Sequence, residues 1–226
     1  MPERAGDRPV IGIADEDLLA VGIAPEGLLV VTGPFRSGKT TAIKTIIQSV
    51  ARSTENVDTV LISPKTFSEL HEFGNWTSTA LGAVDVEPFA RELVVSLSDG
   101  KGSWPKKGAL GFIVVESAGD FEGSTAEGAV AALIKAARKA NVLIVVETDL
   151  ATGPAAWQIY SELKTARAGI VLQPEETDGV SLFRVSFPRG TRSEFPEGRG
   201  YLVEAGRAIK VQIALPDQPP ARTTRP

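Results

Sequence analysis

The sequence predicts an α/β sandwich: a mostly parallel sheet with helices on both faces, followed by antiparallel strands near the C-terminal end. Three observations carry this. Strand-length runs rich in Val, Ile and Leu are continuous rather than alternating, as strands buried on both faces require. The segments between them place apolar residues at helical spacing. After Gln173 the helical periodicity stops, and Pro, Gly and charged residues punctuate short runs.

The elements follow in order. Pro9–Ile23 reads as one or two edge strands ahead of the core. Buried strands are expected at Leu28–Thr32, Thr59–Ser63, Phe112–Val115, Val142–Val146 and Gly169–Leu172. Helices are expected around Ile43, Ile46, Ile47 and Val50, around Val130, Leu133, Ile134 and Ala137, and around Ala156, Ile159, Tyr160 and Leu163. Strand and helix alternate, which favours right-handed crossovers within one parallel sheet. Leu182–Phe187, Tyr201–Glu204 and Ile209–Leu215 read as antiparallel strands, the last two joined by a tight turn at Ala205-Gly206. The expected organisation is therefore an arm with edge strands over residues 1–24, one α/β domain over 25–215, and a disordered Pro/Arg tail over 216–226.

Composition narrows the function classes. A chain of 226 residues with 42% hydrophobic and 23% charged residues is an ordinary globular domain. It contains no cysteine, so disulfides, thiolate metal sites and cysteine nucleophiles are excluded. A net charge of -4 gives no overall pull towards nucleic acid, and direct DNA binding is not expected. No apolar run reaches the length of a membrane span, so this piece is expected to lie in water. The single histidine, His71, has no second histidine at ligand spacing and is expected to be a surface or packing residue.

One motif carries chemistry. Gly33-Pro34-Phe35-Arg36-Ser37-Gly38-Lys39-Thr40 fits G-x-x-x-x-G-K-[ST], directly after an apolar strand and directly before an amphipathic helix. In such a loop the backbone N–H groups turn inward on phosphates, and the helix adds its positive end. Lys39 supplies a mobile cation and Thr40 a hydroxyl for Mg²⁺, while Thr41 and the Ser37 and Gly38 amides reach the phosphates nearer the ribose. The expected cofactors are ATP and Mg²⁺.

The acidic half of the site is expected on the strand Gly111-Phe112-Ile113-Val114-Val115, which ends in Glu116-Ser117. Glu116 stands where a carboxylate holds the magnesium's water shell. Ser117 stands where a base would polarise water, and a hydroxyl protonated at neutral pH cannot accept that proton. Asp120 and Glu122 follow closely and Glu147 ends the next strand, so a displaced carboxylate could partly compensate. Thr148 falls either at a γ-phosphate sensor position or in an ordinary loop. Arg189 and Arg199 are either arginine fingers for a neighbouring module or braces paired with Glu194, Glu197 or Glu204.

Laid out this way, the chain resembles the FtsK/SpoIIIE family of motor ATPases, and most closely the C-terminal ATPase modules of EccC/EssC proteins of type VII secretion. The resemblance rests on Pro9-Val10-Ile11-Gly12-Ile13, Gly33–Thr41, Val114-Val115-Glu116-Ser117, Gly169-Ile170-Val171-Leu172-Gln173-Pro174 and Phe195–Val203, which looks like the family's P-G-R-G segment with one residue changed. It implies a RecA-like core within a membrane-anchored parent protein carrying several such modules in tandem, at the cytoplasmic face of a bacterial membrane. It also implies a module that binds nucleotide, regulates its neighbours and recognises the C-terminal signal of WXG-type secreted substrates, with weak or absent hydrolysis because Glu116-Ser117 departs from the family's acid pair. Two alternatives stay open: an active DNA-translocating ATPase, and an adaptor whose phosphate loop is vestigial.

Overall fold

A computed structural model of the chain describes residues 4–99, 104–149, 157–188 and 194–217. Eleven strands and six α-helices are found among them. The strands are β1 (Arg4–Ala5), β2 (Arg8–Ala14), β3 (Ala20–Gly22), β4 (Gly27–Thr32), β5 (Val57–Ser63), β6 (Ser78–Leu81), β7 (Leu110–Val115), β8 (Val142–Thr148), β9 (Ala168–Leu172), β10 (Arg199–Glu204) and β11 (Arg207–Ile213). The helices are α1 (Lys39–Ser53), α2 (Glu69–Phe73), α3 (Ala83–Asp99), α4 (Glu127–Lys139), α5 (Gln158–Leu163) and α6 (Asp178–Phe183).

All strands join one sheet in the order β1-β2-β11-β10-β9-β4-β8-β7-β5-β6, with β3 paired to β2. The block from β9 to β6 is parallel, and β10, β11 and β2 extend it antiparallel. The expected parallel sheet with antiparallel C-terminal strands is therefore present. Because β4 lies between β8 and β9, the loop that leaves it emerges at the centre of the sheet.

Strand alternation divides the core in two. Val30 points to the face covered by α3, α4, α5 and α6, where Val86, Leu133, Ile159 and Phe183 pack. Leu29 and Val31 point to the other face, against Ile43, Ile46 and Val50 of α1. The apolar stripes of α1 and α4 follow the spacing read from the sequence.

One expected element is corrected. Leu182–Phe187 is not a strand: Asp178–Phe183 is helical, and Arg184 ends it in the left-handed conformation at φ 57°. The alternation of Phe183, Val185 and Phe187 imitates a strand. The chain instead buries the neighbours Leu182 and Phe183 together, and Phe187 stacks on Tyr201 with centroids 4.6 Å apart. Four further elements were not anticipated: β1, α2, β6 and the 17-residue α3, whose buried Val86, Ala90 and Leu93 recur at helical spacing.

The exposed His71 sits on α2. Asp217, in the stretch expected to be a tail, lies against α1: its carboxylate pairs with Arg52 and its carbonyl accepts from Gln48 Nε2 at 2.8 Å. The rest of the expected tail, from Gln218, lies outside the described residues, as do Ala156 and Arg189.

Candidate functional site

The loop after β4 is built by its glycines and closed by a distant segment. A Cβ on Gly33 would stand 2.6 Å from Ser37 Oγ and 2.7 Å from the Leu172 carbonyl, so no side chain fits there. Gly38, the residue before α1, takes φ 96°, which favours glycine. A Cβ on it would meet Gly198 N at 3.0 Å and Glu197 Cγ at 3.1 Å. The Gly198 N–H donates to the Ser37 carbonyl at 2.9 Å, and its own carbonyl accepts from Ile213 N at 2.8 Å. The Pro196-Glu197-Gly198-Arg199-Gly200 segment therefore holds the loop from behind.

Lys39 leads α1, and no acid stands in that helix's first turn, which leaves the positive end unopposed. Its ammonium donates to the Gly33 and Pro34 carbonyls at 2.9 and 3.1 Å and pairs with Asp149 Oδ1 at 2.7 Å. Glu147 Oε1 lies 3.9 Å away.

The acids come from neighbouring strand ends. Val115 of β7 pairs with Val146 of β8, so Glu116 and Glu147 leave the sheet side by side. Both are buried. Glu116 Oε1 lies 3.6 Å from Lys65 Nζ, while its Oε2 is buried with no hydrogen-bond partner among the described residues. Ser117 takes the left-handed conformation at φ 47°, and both its groups turn to Glu147: the N–H donates to Oε2 at 2.7 Å and the hydroxyl at 3.3 Å. Burial pushes the Glu147 carboxyl above its ordinary 4.5, against the opposing pull of the Ser117 N–H and of Lys39 and Lys65.

These groups face a cavity of about 540 Å³, within the range of small-molecule sites. Phe35, Arg36, Gly38, Lys39, Thr40 and Thr41 line one wall. Glu116, Ser117, Asp120, Glu122, Glu147 and Thr148 line the other. Of the loop residues, Gly33, Pro34 and Ser37 do not line the cavity. Arg199 does not line the cavity; its guanidinium pairs with Asp15, not with the glutamates expected. Arg189 lies outside the described residues.

Sequence reasoning missed Lys65, Asp149, Trp157 and Glu197, all of which line the cavity. Lys65 and Asp149 each follow the C-terminal end of a parallel strand, and that position was the available signal. Trp157 is buried at the rim and carried no pattern of its own.

The donor set fits a magnesium-bound nucleoside triphosphate. The loop has room for backbone and no side chain at Gly33, and Ser37 Oγ and Thr32 Oγ1 are buried without partners among the described residues. Glu116 Oε2 is a buried carboxylate oxygen with nothing to accept, the kind of atom a hydrated cation satisfies.

No family model matches the sequence, and no curated protein matches it. Solved structures do match the fold. The cytoplasmic domain of the Thermomonospora curvata type VII secretion ATPase EccC superposes with a TM-score of 0.76 at 19% identity, over 96% of this chain and 28% of that one. Thermomonospora curvata EccC (ATPases 2 and 3), solved in complex with a signal sequence peptide, gives 0.70 at 17% identity, over 96% of this chain and 44% of that one. The pCW3 conjugation coupling protein TcpA with ATPγS gives 0.64 at 13% identity, over 92% and 66%. This chain thus spans under a third of the EccC cytoplasmic domain. The fold is that of the RecA-like P-loop ATPases of the FtsK/SpoIIIE type, and EccC/EssC ATPase domains are among its structural neighbours.

Proposed function

We propose, from that fold, that this domain is an ATP-binding regulatory and substrate-recognition module of a type VII protein secretion motor, with weak or absent hydrolysis. The observation that carries the reading is the contrast between the two halves of one cavity. The phosphate loop has its lysine, its hydroxyl and its glycine geometry, whereas at the position of the base the hydroxyl and N–H of Ser117 both turn to Glu147.

In this reading Lys39, Thr40, Thr41 and the Ser37 and Gly38 amides would hold the phosphates, and magnesium would be held by the Thr40 hydroxyl and, through water, by Glu116. Magnesium supplies charge neutralisation between phosphate oxygens. Lys39 would exchange its contacts to Gly33, Pro34 and Asp149 for phosphate oxygens, and Lys65 stands 3.6 Å from Glu116 Oε1. Hydrolysis needs one further group, a base able to take a proton from water, and the Ser117 hydroxyl is not one. Asp120 and Glu147 are the carboxylates near enough to be examined as substitutes. In this reading Thr148 would sense the γ-phosphate, and Arg189 and Arg199 would serve as contacts to a neighbouring module or as braces, Arg199 through its pair with Asp15.

The partners proposed are other ATPase modules of the same parent chain and the C-terminal signal of a WXG-type substrate. The motive for the second is the signal peptide in the EccC neighbour's complex. No helix among the described residues is long and apolar enough to cross a membrane. Anchoring at the cytoplasmic face of the membrane therefore belongs, in this reading, to other parts of a longer parent.

Calorimetric titration with ATP and Mg²⁺ tests the binding half. Binding is expected in the wild-type domain, and Lys39→Ala should weaken it at least about tenfold, since charge-assisted hydrogen bonds to phosphate are lost. Equal affinity in the two proteins would place the nucleotide elsewhere.

A further inference from the structure

A second concavity, of about 380 Å³, opens far from the phosphate loop. Arg138 lies in the last turn of α4, which leads into β8, and Lys164 and Arg167 lie between α5 and β9. These are the N-terminal ends of parallel strands, whereas the phosphate loop leaves a C-terminal end, so the two cavities lie at opposite edges of the sheet.

Four cations line this cavity: Arg138, Lys164, Arg167 and Arg184. Leu182 and Phe183 form a buried apolar floor. No acid lines it among the described residues, in a chain whose net charge is -4. Arg138 reaches Glu162 at 3.5 Å and Lys164 sits over the Tyr160 ring at 4.6 Å. Arg167 and Arg184 are exposed, and neither has a side-chain hydrogen bond or ion pair among the described residues.

Helix ends explain part of this. Arg138, Lys164 and Arg184 stand at the C-terminal ends of α4, α5 and α6, where a cation offsets the negative pole. Arg167 precedes a strand and has no such role. Nor does the helix-end argument require four cations from three segments to converge on one concavity with an apolar floor and no acid in its lining among the described residues.

We propose that this pocket binds a small phosphate-type polyanion, either free or as a lipid headgroup. Guanidinium groups match phosphate oxygens two at a time, and a cavity near the lower end of the small-ligand range suits one compact anion rather than a polypeptide. This site is independent of the nucleotide site and of its proposed function.

Pyrophosphate is the first probe, titrated into the Lys39→Ala protein so that the phosphate loop is weakened, with backbone amide NMR as the readout. The expected result is saturable shifts at Thr165, Ala166 and Arg167, with affinity falling at least about tenfold when Arg167→Ala and Arg184→Ala are added. Both residues are exposed, and a thermal melt establishes that the triple variant remains folded; should it not, Arg167→Gln alone replaces the pair. Vesicles of phosphatidylcholine with and without phosphatidic acid, whose headgroup is a phosphate monoester, form the second arm. Sedimentation with the anionic vesicles only, abolished by the same substitutions, identifies the headgroup as the source. Pyrophosphate shifts without sedimentation identify a free anion. The proposal is overturned if neither probe binds, or if both bind unchanged in the arginine variants.

Discussion

Glu147 is held between opposing forces, and its protonation is the most testable consequence of the site's electrostatics. Burial raises its carboxyl above the ordinary 4.5, while the Ser117 N–H and two lysines pull the other way. An acid whose folded value lies above its unfolded value takes up a proton on folding. Its contribution to stability is therefore fullest below the unfolded value and is lost as pH rises through the folded one. In urea melts, the wild-type protein should lose stability relative to Glu147→Gln as pH climbs from about 4.5, and a stability difference constant with pH would contradict this assignment. At this scale the phosphate loop was legible because its eight residues are contiguous and each has one chemical task. Lys65 and Asp149 were not, since their nearness to Glu116 and Lys39 depends on β5 lying beside β7 and β8 beside β4, an ordering that strand patterns do not contain. The terminal acid Glu147 was visible, but its grip on Ser117 was not.

Among the elements, β10 shows most directly how packing fixes the site. A Cβ on Gly200 would stand 2.0 Å from the Val171 carbonyl and 2.8 Å from Leu172 Cα, atoms of the adjacent strand that have no rotamer to escape into. Gly200→Ala should cost about 1–3 kcal/mol or more, read as a lower melting temperature, and an unchanged midpoint would show that β9 and β10 are not so close. Leu133, fully buried in α4, should cost about 2–5 kcal/mol when replaced by alanine, measured by denaturant unfolding. The buried strands and the helices around Ile46 and Leu133 were legible because each shows its period undisturbed. The segment Leu182–Phe187 was not, because a six-residue helix offers too few turns to outweigh a run of alternating apolar residues. The helix α3 was hidden differently: Pro88 interrupts its opening turns, and its exposed Val84 and Val95 blur the stripe formed by Val86, Ala90 and Leu93.

At the scale of the whole molecule, the proposed function separates nucleotide binding from hydrolysis. The sheet brings a complete phosphate loop to its centre and sets beside it a strand end with one carboxylate and one serine. Restoring the acid pair with Glu116→Asp and Ser117→Glu should raise turnover if the remaining groups are in place, by about 10²–10⁴-fold where the base alone was lacking. Turnover unchanged by that pair would assign the deficit to a group supplied from a neighbouring module instead. The most direct measurement is steady-state phosphate release by the wild-type domain under saturating ATP and Mg²⁺, with Lys39→Ala as the control for contaminating activity. Release far below about 1 s⁻¹ despite demonstrable ATP binding is expected, and release on the order of 1 s⁻¹ or faster that disappears in Lys39→Ala would contradict the proposed function.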